Sequence, residues 1–173
     1  SGLECTKQKP FSDVLIHGMV RDSQGRKMSK TLGNGIDPID IINQYGADSL
    51  RYSVISGTTM GNDIKYMPEK LDQASNFANK IWNAAKFIMM NMVSKEEICK
   101  FGEENYNAKA NKFKSNNLKL EDKWILNKLN KLVKEVTVNI ENYDLGIALD
   151  KICSFIWNEF CDWYIEIVKP RLY

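Results

Sequence analysis

The chain has 173 residues, 43% of them hydrophobic and 27% charged, which is enough for one domain with a full core, or a domain plus part of another, and excludes wholesale disorder. Lys and Arg number 24 against 22 Asp and Glu, so a formal charge of +2 does not announce a nucleic-acid binder and any such contact must come from local patches. Cys5, Cys99, Cys153 and Cys161 form no CxxC pair and His17 is the single histidine, which argues against a protein-only zinc site and for reduced thiols in a cytoplasmic protein, with no membrane-length apolar run.

Residues 13–20 (DVLIHGMV) are short, apolar and β-branched, as a buried strand requires. Residues 21–35 (RDSQGRKMSKTLGNG) combine glycines, basic groups and no periodicity, which predicts a mobile exposed loop. Asp37 then suits a helix cap, Pro38 the first helical position and Gly46 the stop, and a second short helix from Ala47 to Gly57 aligns Ala47, Leu50 and Val54.

Beyond Pro68, the positions Leu71, Ala74, Ala78, Ile81, Ala85, Ile88 and Met92 alternate in steps of three and four, predicting a long helix packed along that stripe with Ile81 in its core. Residues 94–117 are polar and read as a connector. Ile125, Leu129, Leu132, Val136 and Ile140 mark a further face, and Leu145, Leu149, Ile152, Ile156, Phe160, Trp163 and Ile167 another, with a corner at Asn142, Tyr143 and Asp144. Trp157, Phe160, Trp163 and Tyr164 are expected in the core. Three such helices predict an antiparallel bundle. The chain opens without a methionine and closes just after Lys169 and Pro170, as a piece of a longer protein would.

The basic loop carries the chemistry. Lys27 and Lys30 stand three apart, Ser29 and Thr31 are interleaved, and Gly25, Gly33 and Gly35 free the backbone, so the loop can close over a polyphosphate and meet the charge that grows as its bond breaks. The string HGMVRDSQGRKMSKTLGNGIDP resembles the second signature region of class I aminoacyl-tRNA synthetases, KMSKS followed by LGN, with Thr31 keeping the hydroxyl of the usual serine. DPIDIINQYGADSLRY, GNDIKYMPEKLDQASNFANKIWNAAKF and NEFCDWYIEIVKPRLY look like successive stretches of the valyl branch of that family, and WNEFCDWYIE at 157–166 is less like the isoleucyl branch, the nearest alternative. A helical RNA-binding or interaction module is the alternative from another class.

The resemblance implies a mainly α chain: a strand and loop from the end of a Rossmann-like catalytic domain (1–36), a short helical stem-contact region (37–67) and an anticodon-binding helix bundle (68–173). It implies that Lys30 stabilises pyrophosphate departure, that Lys27 holds the loop or touches ATP, that Ser29 and Thr31 offer hydroxyls, and that Met28 packs the loop. His17 and Gly18, beside the loop, are candidates for nucleotide contact. ATP with Mg2+, valine, a valine-accepting tRNA and the rest of a synthetase, expected as a monomer, are the implied ligands and partners. No metal-ligating set is expected in the chain itself. No segment matches the HIGH-type motif, the amino-acid pocket or the editing domain, so the chain alone is expected to be inactive.

On the long helix Asn76, Asn79, Lys80, Asn83 and Lys86, with Trp82 beside them, suit sugar and phosphate contacts and base stacking. A lysine-rich stretch including Lys109, Lys112, Lys114, Lys119, Lys123, Lys128, Lys131 and Lys134 adds a weak electrostatic footprint.

Overall fold

The computed structural model describes residues 2–91 and 118–172. The polar connector expected over 94–117, with Lys109, Lys112 and Lys114, lies outside the described residues, as do Met92 and Cys99. After a short helix α1 (Gly2–Thr6), the chain reaches strand β1 (Val20–Arg21), helices α2 (Pro38–Tyr45) and α3 (Ala47–Ile55), and strand β2 (Ile64–Lys65). Helix α4 (Pro68–Met90) follows, then α5 (Leu120–Glu141) and α6 (Leu145–Ser154). The last helix continues without a break into a π-helical stretch (Phe155–Tyr164), α7 (Ile165–Val168) and a 3-10 turn (Lys169–Arg171).

Helix α2 starts for local reasons: the Asp37 side chain accepts the Ile39 N–H at 2.8 Å, and Pro38 takes the first turn, where a missing N–H costs nothing. Gly46, at φ +86°, both ends α2 and opens α3, whose final carbonyls lead to Ser56 and to Gly57 at φ +68°. The strand expected over 13–20 is reduced to Val20–Arg21. Residues 13–19 have no regular structure and their apolar side chains stay open, Val14 at 71% and Ile16 at 74% exposure. A strand needs a ladder partner, and the partners this one has, Ile64–Lys65 and a single antiparallel bridge from Arg21 to Lys27, reach only its last two residues.

The three long helices run up, down and up. Phe77 meets Trp157 and Lys169 lies over Phe87, so α4 runs parallel to the last helix; Lys128 pairs with Glu159 and Lys151 with Glu135, so α5 opposes it. Helices α4 and α5 meet chiefly through that last helix, which lies between them. Asp122, nearly buried, ties the two ends of the α5 hairpin together. It accepts two bonds from Arg171 (2.6 and 3.0 Å), the Tyr164 hydroxyl (2.9 Å) and the Lys119 N–H (3.0 Å). The Arg171 guanidinium, above all, holds its carboxyl far below the usual carboxylate range.

Two expected faces are displaced. On α4 the inward line is the buried Leu71 and Ala74 and the half-buried Phe77, Ala84 and Phe87, whereas Ile81 and Ile88 are about 40% exposed. From Phe77 onward the inward line lies one residue earlier than expected, about 100° round the helix, because Phe77 buries more area than Ala78, stacking on Trp157 (6.1 Å) and meeting Tyr52 at a tilt (5.7 Å). In the last helix the inward line is Ala148, Ile152, Ile156, Cys161, Ile165 and Val168, with a step of five across the π-helical stretch. The wider turn leaves Trp163 62% and Ile167 44% exposed where the α-helical spacing placed them inside, and Trp157, expected in the core as an aromatic, is 37% exposed. Helix α5 keeps Ile125, Leu132 and Val136 inward, whereas Leu129 and Ile140, expected on the same face, are 40% and 50% exposed.

The core therefore rests on Leu71, 1% exposed, and not on Ile81. Leu71→Ala is expected to destabilise the chain by about 2–5 kcal/mol and Ile81→Ala by under about 1 kcal/mol in denaturant melts. The reverse order would contradict this packing.

Candidate nucleotide loop and helical interface

The loop from Arg21 to Gly35 is irregular, as expected, but it is a built turn. The Asp22 carboxylate, 8% exposed, takes the N–H groups of Gln24 (3.0 Å) and Arg26 (2.7 Å) on Oδ1, and the Arg26 Nε–H (2.8 Å) and Asn34 amide (2.9 Å) on Oδ2. Gly25, at φ +82°, makes the reversal and donates to the Asp22 carbonyl at 2.9 Å. The Asn34 side chain lowers the Asp22 pKa most, with Arg26 adding to it, and holds the carboxyl down to about 2. Asn34 also accepts the Ser29 N–H (2.9 Å) and donates to the Lys27 carbonyl (3.3 Å). Ser29 Oγ accepts the Leu32 N–H at 3.2 Å, and the Gly33 N–H returns to the Lys30 carbonyl.

This frame leaves Lys27, Lys30 and Thr31 exposed, and among the described residues neither lysine forms an ion pair. Met28 points the other way, lining an apolar recess with Val20, Ile36, Ile41, Leu50 and Leu71. Lys27, Met28, Ser29, Lys30 and Thr31 thus share one turn. His17 and Gly18 do not join it: they line a neighbouring cleft with Leu15, Thr59, Asn62 and Tyr143, where the exposed His17 donates from Nδ1 to the Gly18 carbonyl at 2.7 Å.

The turn is fastened to the helices by one segment. The Ile64 N–H bonds the Met19 carbonyl (2.9 Å) and the Tyr66 N–H that of Arg21 (2.7 Å), in a parallel pairing of Val20 with Ile64 and Arg21 with Lys65. Asp63 accepts the Met19 N–H at 2.8 Å and pairs with Arg21, and these two lower its pKa in that order. At Gly18 a Cβ would lie 1.8 Å from the Asn62 carbonyl oxygen, and at Gly146 2.3 Å from that of Thr58, so both sides of the 57–66 segment are packed against backbone.

On α4, Asn76, Asn79, Asn83 and Lys86 are exposed, and Trp82 is 71% exposed. Lys80 lies on the packed face instead: its ammonium is 2.6 Å from Asp162 and 3.8 Å from the centre of the Trp157 ring. Among the described residues no group of three or more His, Cys, Asp and Glu comes together as metal ligands, and no helix is long and apolar enough to cross a membrane. Asp22, Asn34 and Asp63 are the residues that sequence reasoning missed. Asn34 stood within the quoted LGN string, and its pairing with Asp22, twelve residues away, has no periodic signal.

Comparison with known proteins matches residues 1–67 to the family of class I tRNA synthetases for isoleucine, leucine, methionine and valine, and residues 122–173 to the anticodon-binding domain of tRNA ligases. Valine–tRNA ligases are similar along the whole chain: 52% identical in Clostridium perfringens, 51% in Clostridium tetani and, over 99% of the chain, 48% in Bacillus cereus. The chain belongs to the class I aminoacyl-tRNA synthetases. It spans 18% of the length of each of these relatives. The fold is shared with the agnB2 LeuRS of Agrobacterium radiobacter K84, at a TM-score of 0.64 and 19% identity over 90% of this chain and 18% of that one. The mainly helical architecture expected for this synthetase segment is thus the one observed.

Because the Gly18 position has no room for a methyl group beside Asn62, Gly18→Ala is expected to disrupt the β1–β2 pairing and to destabilise the chain by about 2 kcal/mol or more. A denaturant melt and amide exchange at Ile64 check this. An unchanged midpoint with Ile64 still protected would contradict the close approach.

Proposed function

We propose that this chain is the part of a valine–tRNA ligase that closes on ATP and carries helices for a valine-accepting tRNA. The observation that carries the reading is the lysine loop: a turn whose own carboxylate, Asp22, is fully engaged by Gln24, Arg26 and Asn34, so that the exposed Lys27 and Lys30 keep their charge for an incoming anion. When the α-phosphate of ATP is attacked by the valine carboxylate, negative charge grows on the departing pyrophosphate. An ammonium aimed at that charge lowers the barrier more than it tightens ground-state binding. Lys30 has this role, Lys27 supports the bound nucleotide, and Ser29 and Thr31 offer hydroxyl donors. Mg2+ arrives with the triphosphate, to which phosphate oxygens are its natural ligands.

The division of labour follows the resemblance: 1–36 as the end of the catalytic domain, 37–67 as the stem-contact region and 68–173 as the anticodon-binding bundle. Similarity to valine–tRNA ligases over the whole chain supports the choice of amino acid. The exposed face of Asn76, Asn79, Trp82, Asn83 and Lys86 suits backbone and stacking contacts with tRNA, and the LeuRS of similar fold was solved in a ternary complex with tRNA and LeuAMS. His17 is a secondary candidate for nucleotide contact from the neighbouring cleft. The whole ligase acts in the cytoplasm as a monomer, and this portion, 18% of the length of its relatives, is inactive alone.

In the intact ligase, Lys30→Ala is expected to slow valine-dependent pyrophosphate exchange by about a hundredfold to a thousandfold, with valine affinity unchanged. Near-normal exchange would remove the loop from the chemistry.

A further inference from the structure

The lysine loop contains more machinery than its lysines. Asn34 makes three side-chain bonds that reach both sides of Met28: it accepts the Ser29 N–H, donates to the Lys27 carbonyl and donates to Asp22. The peptide units on either side of Met28 are thereby held to one point, and they decide where the side chains of Lys27 and Lys30 leave the turn. Asp22 in turn receives four donors, and the positive partner among them is Arg26, at 2.8 Å. If a lysine of the loop satisfied Asp22 instead, the field offered to a polyphosphate would be largely cancelled at short range.

We propose that Asp22 and Asn34 are positioning residues for adenylate formation, with Asn34 holding the backbone of residues 27–29 against Asp22 so that both lysines keep fixed places in the turn as the loop closes on the nucleotide. The inference rests on the reading of this loop as the ATP site. Preorganisation is its physical content: donors already in place need no reorganisation as charge develops, whereas a loop that must find its geometry in each turnover loses rate. The side-chain chemistry is specific. Aspartate at position 34 keeps the acceptor for Ser29 but has no hydrogen to give Lys27 or Asp22, and it sets two carboxylates side by side. The low pKa of Asp22, about 2, keeps its carboxylate charged as an acceptor throughout the working pH range.

The test uses the intact ligase with Asn34→Ala, Asn34→Asp and Lys30→Ala, assayed by valine-dependent pyrophosphate exchange and thermal melting. Asn34→Ala is expected to lower kcat by roughly tenfold to a hundredfold, as small misplacements of reacting groups do, while KM for valine and the melting midpoint stay those of wild type. The near-isosteric Asn34→Asp is expected to lose at least as much rate, which a space-filling role for Asn34 would not cause. Exchange within about twofold of wild type in either Asn34 variant, far short of the tenfold that marks 1.4 kcal/mol, would overturn the proposal. So would a loss of rate matched by a fall in midpoint and a rise in valine KM, since the role would then be structural. Lys30→Ala separates the two ideas. If it abolishes exchange while Asn34→Ala does not, the ATP reading stands and the positioning role falls; if it leaves exchange intact, the ATP reading itself falls.

Discussion

Asp63 is the interaction on which the arrangement depends, because its carboxylate grips both the Met19 N–H and the Arg21 guanidinium at the point where the lysine loop leaves the sheet. Two strands of two residues each are too short to be stable alone. The carboxylate adds a charge-assisted bond at their start, and the 57–66 segment that supplies it is wedged between Gly18 on one side and Gly146 on the other. A single stretch of backbone therefore carries the loop, and the same stretch rests on the first turn of helix α6. The position of Lys27 and Lys30 relative to the bundle follows from that junction.

Charge is distributed differently in the two parts. On the helices, Lys80 is held by Asp162, Lys128 by Glu159 and Lys151 by Glu135, so these ammonium groups serve to join helices. In the loop the pairing falls to the arginines, Arg21 with Asp63 and Arg26 with Asp22, and the lysines are left to solvent. Arginine suits the fixed role, since its planar fork matches a carboxylate, and lysine suits the open one, as a compact charge on a flexible stem. Lys80 illustrates the cost of judging a lysine from its helix position alone: the sequence groups it with Asn76, Asn79 and Asn83 on an RNA-facing surface, and it sits instead over the Trp157 ring.

What was legible in the sequence was local. The Asp37 cap, Pro38 and the stop at Gly46 depend on neighbours one to four residues away, and the loop from Arg21 to Gly35 declared itself by glycines and the absence of period. Where partners come from elsewhere in the chain, the reading slipped. From Phe77 onward the inward line of α4 lies one residue early because Trp157 stacks on Phe77 and Tyr52 packs tilted against it, and neither contact can be inferred from the spacing of alanines. The π-helical stretch shifts the inward line from Trp163 and Ile167 to Cys161, Ile165 and Val168, a step of five after Ile156 that a period of 3.6 cannot show. Residues 13–19 carry a strand's composition without a ladder partner among the described residues, and composition alone does not make a strand. In the candidate site, the lysines and hydroxyls were visible as a motif, whereas the Asp22–Asn34 frame joins positions with no common period.

The central claim is that the lysine loop is a hydrogen-bonded turn already formed without nucleotide. Amide hydrogen exchange on the nucleotide-free chain tests it most directly, because the Arg26 and Ser29 N–H groups have the Asp22 and Asn34 side chains as their acceptors. The account predicts that both amides exchange well below the rate of an unstructured peptide and lose that protection together in Asn34→Ala. Exchange at the unstructured rate for Arg26 and Ser29 in the unsubstituted chain would contradict it.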